Sequence, residues 1–155
     1  MNTIVSTLDG VGFFGPLIVM GLVIIDLFSQ PKYNLVYVLS IVANDYVNRV
    51  LKMIIREPRP SGRIPFSEYE SYTGGHKYGM PSGHAQSIGF SVMYLWLVRS
   101  TDYMFVLSAF IGAVTLYQRW KYRNHTIEQL VVGVLCGCGL ALLVWWVGTK
   151  YFRLL

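Results

Sequence analysis

The 155-residue sequence predicts an all-α fold: a polytopic membrane helical bundle of about five transmembrane helices, in one domain over residues 1–155. Three observations predict it. Hydrophobic residues make up 54% of the chain and charged residues 14%, whereas soluble domains carry about 25% charged residues. The apolar residues gather into five runs, near the length of about 20 that a membrane helix needs. Polar segments separate them, and there is no internal repeat or low-complexity tract.

The first run, Val11 to Phe28, has no Lys- or Arg-bearing stretch before it, so a retained span is expected rather than a cleaved signal. Asp26 is expected at its interfacial end. Gln30-Pro31-Lys32 then breaks the chain before the second run, Asn34 to Ile55. That run carries Asn44, Asp45, Asn48 and Arg49. A charge at a helix centre costs about 2.5–3.5 kcal/mol in a bilayer. These residues are therefore expected to face the interior, with Asp45 and Arg49 as a buried i, i+4 pair. A long loop follows, from about Glu57 to Met80, with Pro58, Pro60, Pro65, Gly62, Gly74, Gly75 and Gly79. Loops of this length in compact domains are usually functional or disordered. His76 and the Ser67–Gly75 stretch within it are candidates for shaping headgroup preference.

The third and fourth runs, His84 to Val98 and Tyr103 to Leu116, are short for full spans and are parted by Ser100-Thr101-Asp102. The fifth runs from Ile127 to Val147. Its Gly133, Gly137 and Ala141 recur every four residues, a small-residue stripe for close helix packing. Trp145 and Trp146 suit an interfacial aromatic belt. Cys136 and Cys138, two apart on a helix, do not face each other, so two buried, inert thiols are expected rather than a disulfide or metal site.

Alternating spans place the loops after runs two and four on one membrane face, and nearly all the polar chemistry lies there. The chain has 13 basic and 8 acidic residues, a net charge of +5. The basic residues stand between apolar segments rather than in a surface run, which favours lipid and phosphate partners and excludes nucleic acid. The chemistry-bearing face holds Arg56, Arg59, Arg63, Lys77, Arg119, Lys121 and Arg123. The other holds Lys32, Arg99, Lys150 and Arg153. The positive-inside rule would put the first face in the cytoplasm, but several of these cations have a catalytic reason to be there, so the rule does not decide orientation.

Three clusters carry the chemistry. Lys52 falls in the last turn of the second helix and Arg59 just beyond Pro58, so a point charge and a planar fork both reach the membrane surface. Solvated helix-end cations would look the same in isolation. Tyr78-Gly79-Met80-Pro81-Ser82-Gly83-His84 opens the third helix, with Pro81 expected in its first turn and Ser82 as a cap. A helix N-terminus offers free N–H groups and a positive dipole to an anion. His125 precedes the fifth helix. Gln129, four residues on, can orient its ring and also completes a Thr-x-x-Gln capping box with Thr126. Glu128 is a second candidate for orienting His125. Two histidines, three cations and a helix N-terminus on one face suit phosphoryl transfer. The cations stabilise the phosphoryl charge, a neutral His attacks phosphorus, and a protonated His donates to the leaving oxygen.

The order and spacing of these clusters resemble the signature of the type 2 phosphatidic acid phosphatase (PAP2) superfamily: Lys-x6-Arg-Pro, Pro-Ser-Gly-His, then Ser-Arg-x5-His-x3-Asp. Lys52 to Pro60, Pro81 to His84 and Gln118-Arg119 to Gln129 match in turn. The resemblance implies a helical core and a mechanism without metal or cofactor. It also implies phosphate binding by Lys52, Arg59, Ser82, Gly83 and Arg119, with His84 as acid and His125 as nucleophile. Two positions depart: Gln118 stands for the family Ser, and Gln129 for the final Asp. Gln can orient the ring but brings no charge. His-Thr-x-x-Gln and the Tyr-Gly-Met-Pro-Ser surroundings are similar to the dolichyldiphosphatase branch, which implies a polyisoprenyl diphosphate substrate. Phosphatidic acid or another lipid phosphate is the alternative substrate. A non-catalytic membrane protein that binds lipid phosphate is the alternative function, favoured only by Gln129. The expected partners are the lipid substrate and membrane lipids. The expected location is the endoplasmic reticulum membrane in a eukaryotic cell or a virus of one, or the plasma membrane in a bacterium.

Overall fold

A computed structural model describes residues 3–66, 77–98 and 102–152. Its five helices are α1 Thr3–Asp26, α2 Pro31–Ile55, α3 Gly83–Leu97, α4 Asp102–Lys121 and α5 Ile127–Phe152, and no strand occurs among the described residues. By length and composition alone, α1 over Thr7–Asp26 and α5 over Ile127–Tyr151 can cross a membrane. The other three are less apolar or shorter. α3 has 15 residues, about 22 Å at 1.5 Å per residue. His76, Ser67–Gly75, Arg99, Ser100, Thr101 and Arg153, named above, lie outside the described residues.

The helix ends follow local chemistry. Pro31 opens α2, where its missing N–H costs nothing. α2 ends at Arg56, which takes the left-handed conformation (φ 55°) and returns its N–H to the Lys52 carbonyl. Ser82, not Pro81, precedes the first residue of α3. Pro81 thus stands one residue outside the cap, after a cis Met80–Pro81 bond, rather than in the first helical turn. α4 continues to Lys121, past the boundary expected near Leu116. Gln118 and Arg119 are good helix formers, and both are buried in the last turn.

α3 packs closely on α5, and α1 on α4. The small-residue stripe makes the first contact possible. A Cβ on Gly133 would meet the Ser82 carbonyl and Ala85, and one on Gly137 would meet the Gln86 carbonyl and the Phe90 amide. Ala141, one turn further, is fully buried. The close approach brings the start of α3 against the start of α5, where the Ser82 N–H donates to the Gln129 carbonyl at 3.0 Å. Cys136 and Cys138 are free and half-buried rather than buried, and Cys138 Sγ donates to the Gly89 carbonyl at 3.5 Å.

The interior is divided along the helix axes. Val19, Val23, Leu27, Tyr37, Phe90, Tyr94 and Leu95 form an apolar cluster at the end holding the α1–α2 turn. Asn44, Asn48, Lys52, Ser82, Gln86, Gln118, Arg119, Asn124, His125 and Gln129 are buried toward the other end. A ladder of amides joins the two regions. Gln86 Nε2 donates to the side chain and carbonyl of Asn44, each at 3.0 Å, and Asn48 Nδ2 donates to Gln86 Oε1 at 2.8 Å and to the Pro81 carbonyl at 3.1 Å. Burial without these bonds would cost about 1–3 kcal/mol per group.

One expectation about α2 is corrected. Asp45 and Arg49 do pair, at 2.7 Å, but both side chains are 58% exposed. Asn44, Asn48 and Lys52 recur every four residues and take the face against α3. Asp45 and Arg49 sit one residue further round, about 100° away, and face outward.

Candidate active site

Three chain segments meet at the polar end. α2 delivers Lys52, and the segment after it folds back over the 122–124 turn. The Gly79 N–H donates to the Glu57 carbonyl at 2.7 Å and the Ile64 N–H to the Tyr122 carbonyl at 3.0 Å. Asn124, fully buried, anchors the fold-back. Its side-chain oxygen accepts from Arg63 Nε at 2.6 Å and its carbonyl from Arg59 Nη1 at 3.4 Å. Nothing in the motif spacing marks Asn124 except its place before His125. Its role depends on arginines more than 60 positions away.

His125 is buried, with Nδ1 3.1 Å from Gln129 Oε1. Gln129 Nε2 faces two acceptors, Glu57 Oε1 at 2.8 Å and the Pro58 carbonyl at 2.9 Å. This orients the amide, so Oε1 accepts, Nδ1 carries the proton, and the lone pair of neutral His125 lies on Nε2. Both halves of the capping box form: the Gln129 N–H donates to Thr126 Oγ1 at 3.2 Å, and the Thr126 N–H to Gln129 Oε1 at 3.4 Å. Glu128 is exposed, and the contact to His125 comes from Gln129 alone of the two. The pKa of His125 is pushed down to about 2, first by burial and then by the positive charges of Arg59 and Lys52. The hydrogen bond to Gln129 opposes the shift, and Arg119 adds to it. The imidazole is therefore neutral, and three of the cations singled out from sequence act on it.

Lys52 is 3% exposed, and its ammonium donates to the carbonyls of Pro81 at 2.7 Å and of Tyr78 and Gly79 at 3.4 Å each. An ammonium has three donors, so in this arrangement Lys52 ties the end of α2 to the segment entering α3. Ser82 is fully buried, with Oγ 3.5 Å from the Ala85 N–H. A Cβ on Gly83 would lie 3.3 Å from Asn48 Oδ1, so α2 approaches the start of α3 closely.

His84 lies on the α1 side, with Nε2 3.2 Å from the Phe13 carbonyl. A carbonyl only accepts, so this nitrogen bears a proton. The Arg119 guanidinium stands 5.6 Å from the centre of the Phe13 ring, and the His84 ring 6.2 Å from it. Arg119 Nη1 also donates to Gln118 Oε1 at 3.4 Å. Phe13 thus joins the acid candidate to a phosphate-binding candidate, a role its place in an apolar run conceals. Phe66 and Tyr122 extend this aromatic wall, with ring centres 5.1 Å from Phe13 to Phe66 and 5.5 Å from Phe66 to Tyr122. Among the described residues no three His, Cys, Asp or Glu side chains cluster closely enough to hold a metal ion.

Comparison with known proteins identifies the family. The PAP2 superfamily model matches residues 33–153. Human dolichyldiphosphatase 1 is 30% identical over 149 residues, which cover 86% of this chain and 60% of that protein. The chloroplastic lipid phosphate phosphatase epsilon 2 of Arabidopsis thaliana is 34% identical over 110 residues, covering 64% and 34% respectively. The chain therefore spans about 60% of the human relative's length. The crystal structure of a transmembrane PAP2-type phosphatidylglycerolphosphate phosphatase from Bacillus subtilis superimposes with a TM-score of 0.58 at 16% identity, over 97% of this chain and 89% of that one. The helical arrangement is thus that of a membrane protein fold, and by the extent of the family match the chain belongs to the PAP2 superfamily.

Proposed function

We propose that this chain is an integral-membrane lipid phosphatase that removes the terminal phosphate of a polyprenyl diphosphate through a phosphohistidine at His125. The observation that carries the reading is the His125–Gln129 contact at 3.1 Å, which fixes the proton on Nδ1 and leaves Nε2 as a nucleophile among cations. The Nε2 lone pair attacks the terminal phosphorus. The bond to the bridging oxygen breaks, its electron pair goes to that oxygen, and His84 supplies the proton, releasing the polyprenyl monophosphate. Water then attacks phosphorus and gives its proton to His84. The N–P pair returns to His125, and inorganic phosphate leaves.

Lys52, Arg59, Arg119, the Ser82 hydroxyl and the Gly83 N–H are the charge-stabilising groups. The human relative's name and the His-Thr-x-x-Gln pattern support the diphosphate. The plant relative's name supports phosphatidic acid or another lipid phosphate as the second reading. The test is phosphate release by purified protein in detergent from polyprenyl diphosphates, polyprenyl monophosphates and phosphatidic acid, with His125→Ala alongside. Release from the diphosphate, lost in the variant, is expected. Release from phosphatidic acid alone would move the substrate to the second reading. No release by folded protein would overturn the enzyme reading.

A further inference from the structure

Glu57 plays no part in the phosphate contacts proposed above, yet its carboxylate lies one amide away from His125. Gln129 is fully buried and all four of its amide bonding positions are used. Oε1 accepts from His125 Nδ1 and the Thr126 N–H, while Nε2 donates to Glu57 Oε1 and the Pro58 carbonyl. Turning the amide over would set an oxygen against two acceptors and an NH2 group against the Thr126 N–H donor. The orientation is therefore held from both sides.

The backbone adds a clamp. A Cβ at Gly79 would run into the Gln129 amide, so the chain lies directly on it. Glu57 is fixed too: its carbonyl accepts from the Gly79 N–H at 2.7 Å, beside the Pro58–Tyr78 bridge.

An imidazole that attacks phosphorus becomes positively charged, and a neutral amide cannot balance that charge. A carboxylate on the far side of the amide can, because it polarises the amide and strengthens the bond that Oε1 accepts. We infer that Glu57 is a positioning residue that acts on His125 through Gln129, supplying the negative charge Gln129 lacks. The inference rests on the proposed function, since it assigns a role within that reaction.

The test is a double-mutant cycle of wild type, Glu57→Gln, Gln129→Asp and the double variant, measuring kcat, KM and thermal unfolding in detergent. Glu57→Gln keeps the size and an acceptor for the Gln129 N–H while removing the charge. In the wild-type background it should lower kcat by about 10- to 100-fold, the range for groups that support a histidine from behind, with KM changed less than about threefold. In the Gln129→Asp background a carboxylate already meets His125, and removing Glu57 should cost less than about threefold in kcat. Glu57→Asp should retain more of kcat than Glu57→Gln. Equal losses in both backgrounds, a loss carried by KM, no loss, or an Asp variant no better than the Gln variant would overturn the inference while leaving the proposed function intact. A folded wild-type protein without turnover would overturn the proposed function first and this role with it.

Discussion

At His125 the hydrogen-bond pattern and the electrostatics agree. Gln129 keeps the proton on Nδ1, while burial, Arg59 and Lys52 keep the ring neutral. His125→Ala is expected to abolish phosphate release in the detergent assay. His84→Ala is expected to lower kcat by about 10²- to 10⁴-fold, the contribution of a positioned acid. The depressed pKa of His125 also has a stability consequence. Below its ordinary value of about 6.5 the unfolded chain binds a proton that the folded chain refuses, so stability falls as pH falls through that region. Thermal unfolding between about pH 7 and pH 4 should therefore drop faster for wild type than for His125→Ala. Equal slopes would show that His125 is not held neutral in the fold.

Several of these residue-scale features are legible in the sequence. The i, i+4 spacing of His125 and Gln129 constrains their geometry on its own, because both lie at one helix start. Phe13, Glu57 and Asn124 were not legible. Each acts on a residue brought from far along the chain, as in the 71-position separation of His84 and Phe13. Asp45 and Arg49 were misplaced for a different reason. Polarity in an apolar run argues for burial, but the face a residue takes is set by where its neighbours pack, and Asn44, Asn48 and Lys52 had claimed the inner one.

Among the helices, the α3–α5 contact matters most, because it carries Ser82–His84 to the start of α5. Gly137 and Gly139 provide a matched comparison on one helix. A Cβ at Gly137 lands on the backbone of α3, whereas at Gly139 nothing lies within 4 Å. Gly137→Ala should destabilise by about 1–3 kcal/mol through overpacking. Gly139→Ala should be neutral or stabilise by up to about 1 kcal/mol through helix propensity. Thermal unfolding in one detergent measures both. The period of four along Gly133, Gly137 and Ala141 exposes this contact to sequence reading. The end of α4 was less visible, because buried polar residues in its last turn look like loop residues until their partners in α1 and the 122–124 turn are known.

For the whole molecule, the lengthwise division of the interior has a functional meaning. The apolar end holds the bundle together, and the polar end gathers charge where helix starts and ends meet. The histidine pair supplies both nucleophile and acid in the proposed reaction, so hydrolysis should continue in excess EDTA, and loss of activity that added divalent metal restores would contradict the mechanism. Five runs and their parity are enough to expect the polar clusters at one end of the bundle. The fold-back of residues 57–66 is not to be expected from them, because it rests on backbone bonds such as Ile64 to Tyr122 that carry no side-chain signature.

In the proposed reaction His125 takes the phosphoryl group. The most direct measurement is to quench turnover of a terminally 32P-labelled polyprenyl diphosphate in base, where phosphohistidine survives, and to map the label by peptide. Label is expected on the peptide carrying His125 and absent in His125→Ala. Robust turnover without label, or label on another residue, would contradict that reaction.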